Sequence, residues 1–341
     1  MKTKILYISS STGLGGQEVL LKRLLQHLDK SLYHVDVFIT GARGALHDEY
    51  EKHSNTIHFY PEKNNPDINS AIFQLIRENK YDVIHFFNLW FLYDTILRIK
   101  RVFPHIKIMA TLCVDLHFHR DFFAASFSLM EKIQPHLWAF ITDSEMNKKT
   151  FPNITTIRSG IPIDTFKPAT KKPRTVAWIG RMVYGKRAHL IPDIAKNLSD
   201  YHFTMIGDRE TKEYNYIMEI KPPNLEVRLS LTEDEVAKVL SEAEYFLFTS
   251  VSESTPLTIL EAMASGCCVV SEEVGDIPSV IQDGVNGHLI PKDTNLVDWV
   301  SKNLPLLDSE VSKNARQIIL DDFSLVQMVK KYEFLYGGTD G

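Results

Sequence analysis

The residues whose types and spacing speak most directly of chemistry lie in Glu253-Ser254-Thr255-Pro256-Leu257-Thr258-Ile259-Leu260-Glu261. Two carboxylates sit eight positions apart, with a helix-start signal between them. Thr255 suits the N-cap and Pro256 the first helical position, where no backbone donor is needed. Leu257, Leu260 and Met263 recur at helical spacing, and Gly266 ends the run. This reading puts Glu261 on the helix and Glu253 in the loop feeding it. The first-turn amides, beginning at Leu257 and Thr258, point at whatever fills that loop, and a helix amino end favours an anion. Amides for phosphate and one carboxylate for each of two hydroxyl-bearing rings outline a site for a sugar nucleotide. A glutamate on a helix is more often a solvated surface group, so the neighbouring residues decide.

Those neighbours are cations and glycine turns. Gly180-Arg181 closes an apolar run, and Lys186 follows in Tyr184-Gly185-Lys186-Arg187. Arg181 is expected at the carboxyl end of a strand and Lys186 at the start of the next helix. A guanidinium can fork onto two phosphate oxygens and an ammonium adds a point charge, so the pair could offset a diphosphate without a metal. Near the amino terminus, Lys4–Ser9 runs into Thr12-Gly13-Leu14-Gly15-Gly16-Gln17-Glu18. Gly15 and Gly16 would let backbone approach a phosphate. The turn is not the dinucleotide fingerprint, which would need glycine in place of Glu18.

The elements that must position these residues alternate. Strand-like runs are Lys4–Ser9, His34–Thr40, Asn55–Tyr60, Asp82–Phe86, Ile106–Thr111, Trp138–Thr142 and Ile154–Arg158, with helix-like stretches between most of them. The pattern breaks at Ser159-Gly160-Ile161-Pro162 and at the proline-bearing link Pro168–Pro173. It restarts at Thr175–Gly180 and continues through His202–Gly207, Leu225–Arg228, Tyr245–Thr249, Cys268–Ser271 and Gly287–Ile290. Repeated strand–helix–strand units imply parallel sheets. The expected architecture is α/β: a doubly wound domain over residues 1–165, a second over 166–322, facing each other across a cleft, and an amphipathic closing helix over 323–336. The tail 337–341 is expected to be disordered. Ligands in such sheets bind beyond the carboxyl ends of the strands, where Glu253 falls.

Composition narrows the class. The chain has 341 residues, a net charge of −5 and 44% hydrophobic residues, which reads as globular and gives no electrostatic case for nucleic acid. No apolar run is long enough to span a bilayer, and Met1–Ser9 is too short in its apolar part for a signal peptide. Three cysteines, with Cys267 and Cys268 adjacent, are no disulfide framework, and a reducing cytoplasm fits best. There is no zinc spacing and no D-x-D pair, so no metal site and no resident cofactor are expected.

With these motifs in order, the chain resembles the retaining glycosyltransferases of GT-B fold that carry an E-x7-E motif, family four. The resemblance covers nearly the whole chain. It is strongest over Ser252–Leu289, through Gly275-Asp276-Ile277-Pro278 and Asp283-Gly284-Val285-Asn286-Gly287. Gly15-Gly16-Gln17-Glu18, Tyr81-Asp82-Val83-Ile84-His85, Ser159–Asp164 and Gly180-Arg181 with Lys186 support it. It implies a nucleoside-diphosphate sugar as donor, UDP- or GDP-linked. Arg181 and Lys186 would grip its diphosphate, Glu261 its ribose, and Glu253 would lie against its sugar. Amides at Leu257 and Thr258, with Gly16 across the cleft, would hold phosphate or sugar oxygens. It implies metal-free transfer with retention to a saccharide, glycolipid or small-molecule hydroxyl, and a final helix crossing back to the first domain.

The pattern has departures. Members often carry a histidine after the fifth strand of the first domain. Cys113 stands near that place here, and His117 is the candidate substitute, with His119 beside it. Ser279 replaces an acidic residue and Cys268 a proline. On the acceptor side, Phe118, Phe122, Phe123 and Phe127 read either as an acceptor-facing wall or as core. Arg98, Lys100, Arg101, His105 and Lys107 read either as a surface for an anionic acceptor or the inner face of a membrane, or as a solvated helix face. Two competing functions stay open. One is a sugar-nucleotide epimerase of the same shape, which would turn over without acceptor; the other is a non-catalytic sugar-nucleotide-binding partner.

Overall fold

The computed structural model describes residues 1–60, 68–87, 92–113, 130–151 and 153–337. The chain divides into two compact units, Met1–Gly160 with Val326–Gly341, and Ile161–Leu325.

The first unit holds a parallel sheet of β1 (Thr3–Ser9), β2 (Tyr33–Ile39), β3 (Thr56–Phe59), β4 (Val83–Phe87), β5 (Lys107–Leu112), β6 (Ala139–Thr142) and β7 (Thr155–Thr156). Their spatial order is β3-β2-β1-β4-β5-β6-β7. Order reverses at β1, whose registers run Ile5↔Val35 on one side and Ile5↔Val83 on the other. Helix Gly16–His27 leaves the turn that follows β1, buries Leu20, Leu21, Leu24 and Leu25, and so fixes Gly15 and Gly16 at the carboxyl edge of the sheet. Helix Leu325–Tyr336 closes this unit. The Tyr336 hydroxyl lies 2.7 Å from that of Tyr7 and 2.9 Å from Nδ1 of His85, and His85 Nε2 is 2.7 Å from Thr111 Oγ1, all of it buried. Burial lowers the His85 pKa to about 3 and raises those of Tyr7, Tyr332 and Tyr336, so the cluster is held neutral.

The second unit repeats the plan with β8 (Lys172–Ile179), β9 (His202–Gly207), β10 (Leu225–Leu229), β11 (Ala243–Phe248), β12 (Cys268–Glu272) and β13 (His288–Ile290), in the order β10-β9-β8-β11-β12-β13. Every pairing is parallel. The apolar run in β11 is continuous because both faces are covered. Tyr245 and Leu247 join one core with Val176, Trp178 and Val270, and Phe246 and Phe248 join the other with Ala177, Ile259 and Val269. Cys267 and Cys268 are fully buried in these cores, and burial pushes the Cys268 thiol up to about 12.

Ile161–Thr165, expected with the first domain, fall in the second unit. Ile161 bridges to Ser324, its amide donates to the Phe323 carbonyl at 2.8 Å, and its side chain packs with Phe166 in the second core. At the far end Gly337 closes a turn onto Phe334, its amide 3.1 Å from that carbonyl; residues 338–341 of the expected disordered tail lie outside the described residues.

Candidate functional site

The second unit assembles its polar groups beyond the carboxyl ends of β8, β11 and β12. The loop after β8 carries Arg181 and Lys186. Lys186 ends a short 3-10 turn, Tyr184–Lys186, rather than starting an α-helix, which begins only at Ile191. The reason is Arg187, whose φ of 49° is left-handed and breaks the helical path. Arg181 is exposed; its carbonyl accepts from the Val183 amide at 2.9 Å.

The Lys186 loop is stitched to the end of β11. Thr249 Oγ1 donates to the Lys186 carbonyl at 2.6 Å and receives the Trp178 Nε1 hydrogen at 2.9 Å. The Val251 amide donates to the Gly185 carbonyl at 3.0 Å. Arg187 Nε donates to the Thr249 carbonyl at 2.6 Å, and its guanidinium pairs with Glu272 at the end of β12. One partly buried cation thus ties the loop after β8 to the ends of β11 and β12, and burial lowers its pKa from the ordinary arginine value. Sequence reasoning missed Arg187 and Glu272. The left-handed cationic residue directly after Lys186 leaves no motif signature, and Glu272 reads as an ordinary strand end.

Lys186 and Glu253 form an ion pair, each only partly exposed. The expectation gave one to phosphate and the other to sugar; here each neutralises the other. The Glu253 loop rests on Gly275, whose φ is 52°. A Cβ there would collide with the Glu253 carbonyl, so only glycine fits beneath the loop. Asp276 holds the next residues: its amide donates to the Ser254 carbonyl at 3.4 Å and its Oδ2 accepts from Thr255 Oγ1 at 3.2 Å.

Thr255 stands one position before the helix cap. Pro256 is the N-cap, without a side-chain cap bond, and the helix runs Leu257–Ala264. The Thr255 hydroxyl is drawn to Asp276, across a turn that sequence spacing does not reveal. Ile259 and Leu260 make the first bonds of the helix, to the Pro256 carbonyl at 3.2 and 3.4 Å, so the Leu257 and Thr258 amides precede its internal ladder. Glu261 is buried at 7% exposure, which sets it apart from a solvated helix glutamate.

In the first unit, Gly15 is the N-cap of its helix and Gly16 the first helical residue. Glu18 folds back over them: its Oε1 accepts from Ser11 Oγ at 2.7 Å, and a Cβ on Gly15 would collide with its other oxygen. A carboxylate already lies against this helix start, so the glycine turn offers a less open anion seat than its sequence implies. Cys113 follows β5, and burial raises its thiol pKa well above the ordinary value, with Asp143 and Glu18 adding to the shift. It is held protonated. His117, His119, Phe118, Phe122, Phe123 and Phe127 lie outside the described residues. Among the described residues, no group of three or more His, Cys, Asp or Glu side chains is placed to hold a metal ion.

Residues 173–309 match the family described as Glycosyl transferases group 1, and residues 14–158 match Glycosyltransferase Family 4. The chain belongs to the family-four, group 1 glycosyltransferases. Among curated members of this glycosyltransferase family, it is 34% identical over 110 residues to N-acetyl-alpha-D-glucosaminyl L-malate synthase of Bacillus anthracis, covering 30% of this chain and 28% of that one. It is 27% identical over 213 residues to UDP-Gal:alpha-D-GlcNAc-diphosphoundecaprenol alpha-1,3-galactosyltransferase of Escherichia coli, covering 54% of this chain and 54% of that one. The chain thus spans about half, or less, of the length of these curated relatives. Among solved structures, Anabaena HepE in complex with UDP-glucose superposes with a TM-score of 0.78 at 19% identity, over 97% of this chain and 99% of that one. The fold is GT-B, with two Rossmann-like α/β domains.

Proposed function

We propose that this family-four member is a retaining glycosyltransferase. It moves a hexosyl-type sugar from a UDP- or GDP-linked donor to a hydroxyl of a saccharide, lipid-linked or small-molecule acceptor, without a metal. The observation that carries the proposal is the convergence of Lys186, Glu253 and the helix start at Leu257 beyond one sheet edge, with Glu261 buried on that helix. Family membership supports the reaction class. HepE, solved with UDP-glucose, supports a uridine donor among the nucleotides.

On this reading Arg181 and Lys186 neutralise the donor diphosphate, and the Leu257 and Thr258 amides add donors to its oxygens. Donor entry exchanges the Glu253 partner of Lys186 for phosphate and frees Glu253 to accept from sugar hydroxyls. Glu261 accepts from the ribose hydroxyls. The bond from the anomeric carbon to the diphosphate oxygen breaks as charge develops on the departing diphosphate, held by groups already in place. The acceptor oxygen bonds to the anomeric carbon on the face the diphosphate leaves, and its proton passes to a diphosphate oxygen. Gly15 and Gly16 are assigned to phosphate or sugar oxygens once Glu18 moves off them, and His117 is assigned as the catalytic histidine of the first domain.

The test is a transfer assay with UDP- and GDP-sugars and an acceptor panel, with product configuration read by proton NMR. The expected result is an α-glycoside from an α-linked donor, and a rate at least about a hundredfold lower in Lys186→Ala. An inverted product would overturn retention. Donor conversion without acceptor would favour an epimerase, and binding without turnover a non-catalytic partner.

A further inference from the structure

The first unit carries a rim that this function does not use. From Thr95 to Cys113 the chain holds Arg98, Lys100, Arg101, His105 and Lys107 and no acidic residue. Helix Tyr93–Val102 buries Thr95, Ile96 and Ile99 and turns Arg98, Arg101 and Val102 to solvent. The chain then folds tightly into β5: the Ile106 amide donates to the Phe103 carbonyl at 3.1 Å, and Lys100 Nζ reaches the Pro104 carbonyl at 3.5 Å. Lys107 opens β5 with its ammonium 4.6 Å from the centre of the Trp138 ring.

Trp138 is the unexpected member. It is 58% exposed, yet its Nε1 already donates to the Leu335 carbonyl at 3.2 Å. Its polar edge is satisfied inside the protein and its apolar ring faces out, an arrangement that gains little from water. Phe334, next to Leu335, is 57% exposed, and Val102 is 49% exposed. Large apolar side chains and a cluster of cations thus share the amino-end edge of β5 and β6, with the exposed Asp82 next to Lys107, opposite the carboxyl edge where this fold binds ligands.

We propose that this rim docks on an anionic lipid bilayer, with Trp138 and Phe334 at headgroup level and Arg98, Lys100, Arg101 and Lys107 against the negative surface. Charge complementarity selects the occupant. The chain as a whole carries −5, so attraction to an anionic surface must come from a local cationic face acting within about one Debye length, roughly 10 Å at 0.1 M salt. Tryptophan beside lysine and arginine is the composition that membrane interfaces favour. No helix among the described residues is long and apolar enough to cross a membrane, so the contact is peripheral.

The test is flotation of the full chain with phosphatidylcholine vesicles, with and without phosphatidylglycerol, over a salt series. Binding is expected only to the anionic vesicles, weakening as salt rises. The double variant Arg98→Glu, Arg101→Glu should bind at least tenfold more weakly, since each cation contributes roughly fivefold. Both residues are exposed on a helix surface, so this variant should fold, as an unchanged melting temperature would verify. Trp138→Ser should weaken binding while leaving its salt dependence in place. No binding to anionic vesicles at low salt, equal binding to neutral ones, or wild-type binding by the folded double variant would each overturn the proposal.

Discussion

At the residue scale, the Glu253 loop depends on what lies beneath it. Gly275 has a left-handed φ of 52° and sits against the Glu253 backbone, whereas Gly284, at φ 68°, has open space where a Cβ would stand. Gly275→Ala therefore adds a collision to conformational strain, and Gly284→Ala adds strain alone. Strain of this kind costs on the order of 1–3 kcal/mol. Gly275→Ala is expected to lose more stability than Gly284→Ala and to lose most transfer activity, because relief of the collision must move Glu253. Thermal melts and initial rates of the two variants check this; equal losses would show that the loop does not rest on Gly275. Arg187 belongs to the same scale. It touches no atom assigned to substrate, yet through Thr249 and Glu272 it sets where Lys186 stands.

At the scale of elements, the closing helix Leu325–Tyr336 is held by a buried polar cluster rather than by apolar packing alone. Tyr336 bonds Tyr7 and His85, and His85 bonds Thr111. The histidine pKa falls from 6.5 to about 3 in the folded chain because burial disfavours the imidazolium. As pH falls between those values, the unfolded chain takes up a proton that the folded chain refuses. Stability is thus full above the unfolded pKa and drains away as pH drops toward the folded one, by about 1.4 kcal/mol per unit. Wild type is expected to lose about 2 kcal/mol more between pH 7 and pH 5 than His85→Gln, which cannot take up the proton. Urea unfolding at the two pH values measures it. Parallel losses would mean that His85 is as protonated folded as unfolded.

At the scale of the whole molecule, charge is distributed unevenly. Lys186 and Arg181 supply positive charge at one sheet edge of the second unit, while the basic rim of the first unit stands out against a net −5. If protein cations and a helix start neutralise the leaving diphosphate, transfer needs no added ion. Initial rates in excess EDTA are expected to stay within about twofold of untreated enzyme, since electrostatic stabilisation then resides in fixed groups. Restoration by manganese of an EDTA-silenced enzyme would contradict this. Two units with separate cores also make a single unfolding midpoint an incomplete description of stability.

What the sequence determined by itself is what periodicity and local chemistry control. The central strands of both sheets fall on the apolar runs, because a parallel strand covered on both faces must be apolar along its length. The order of motifs around Glu253, Glu261, Arg181 and Lys186 was enough to place the chain in its family. Only tertiary structure decided which groups meet. Pro256 rather than Thr255 stands at the N-cap, and the Thr255 hydroxyl donates to Asp276, distant in sequence. Glu253 finds Lys186, Arg187 finds Glu272, and Glu18 folds onto Gly15, since side-chain partners depend on distances that chain folding creates. Trp138 reads in the sequence as the start of a strand. Its exposure depends on the closing helix, whose Leu335 carbonyl satisfies the indole and leaves the ring facing outward.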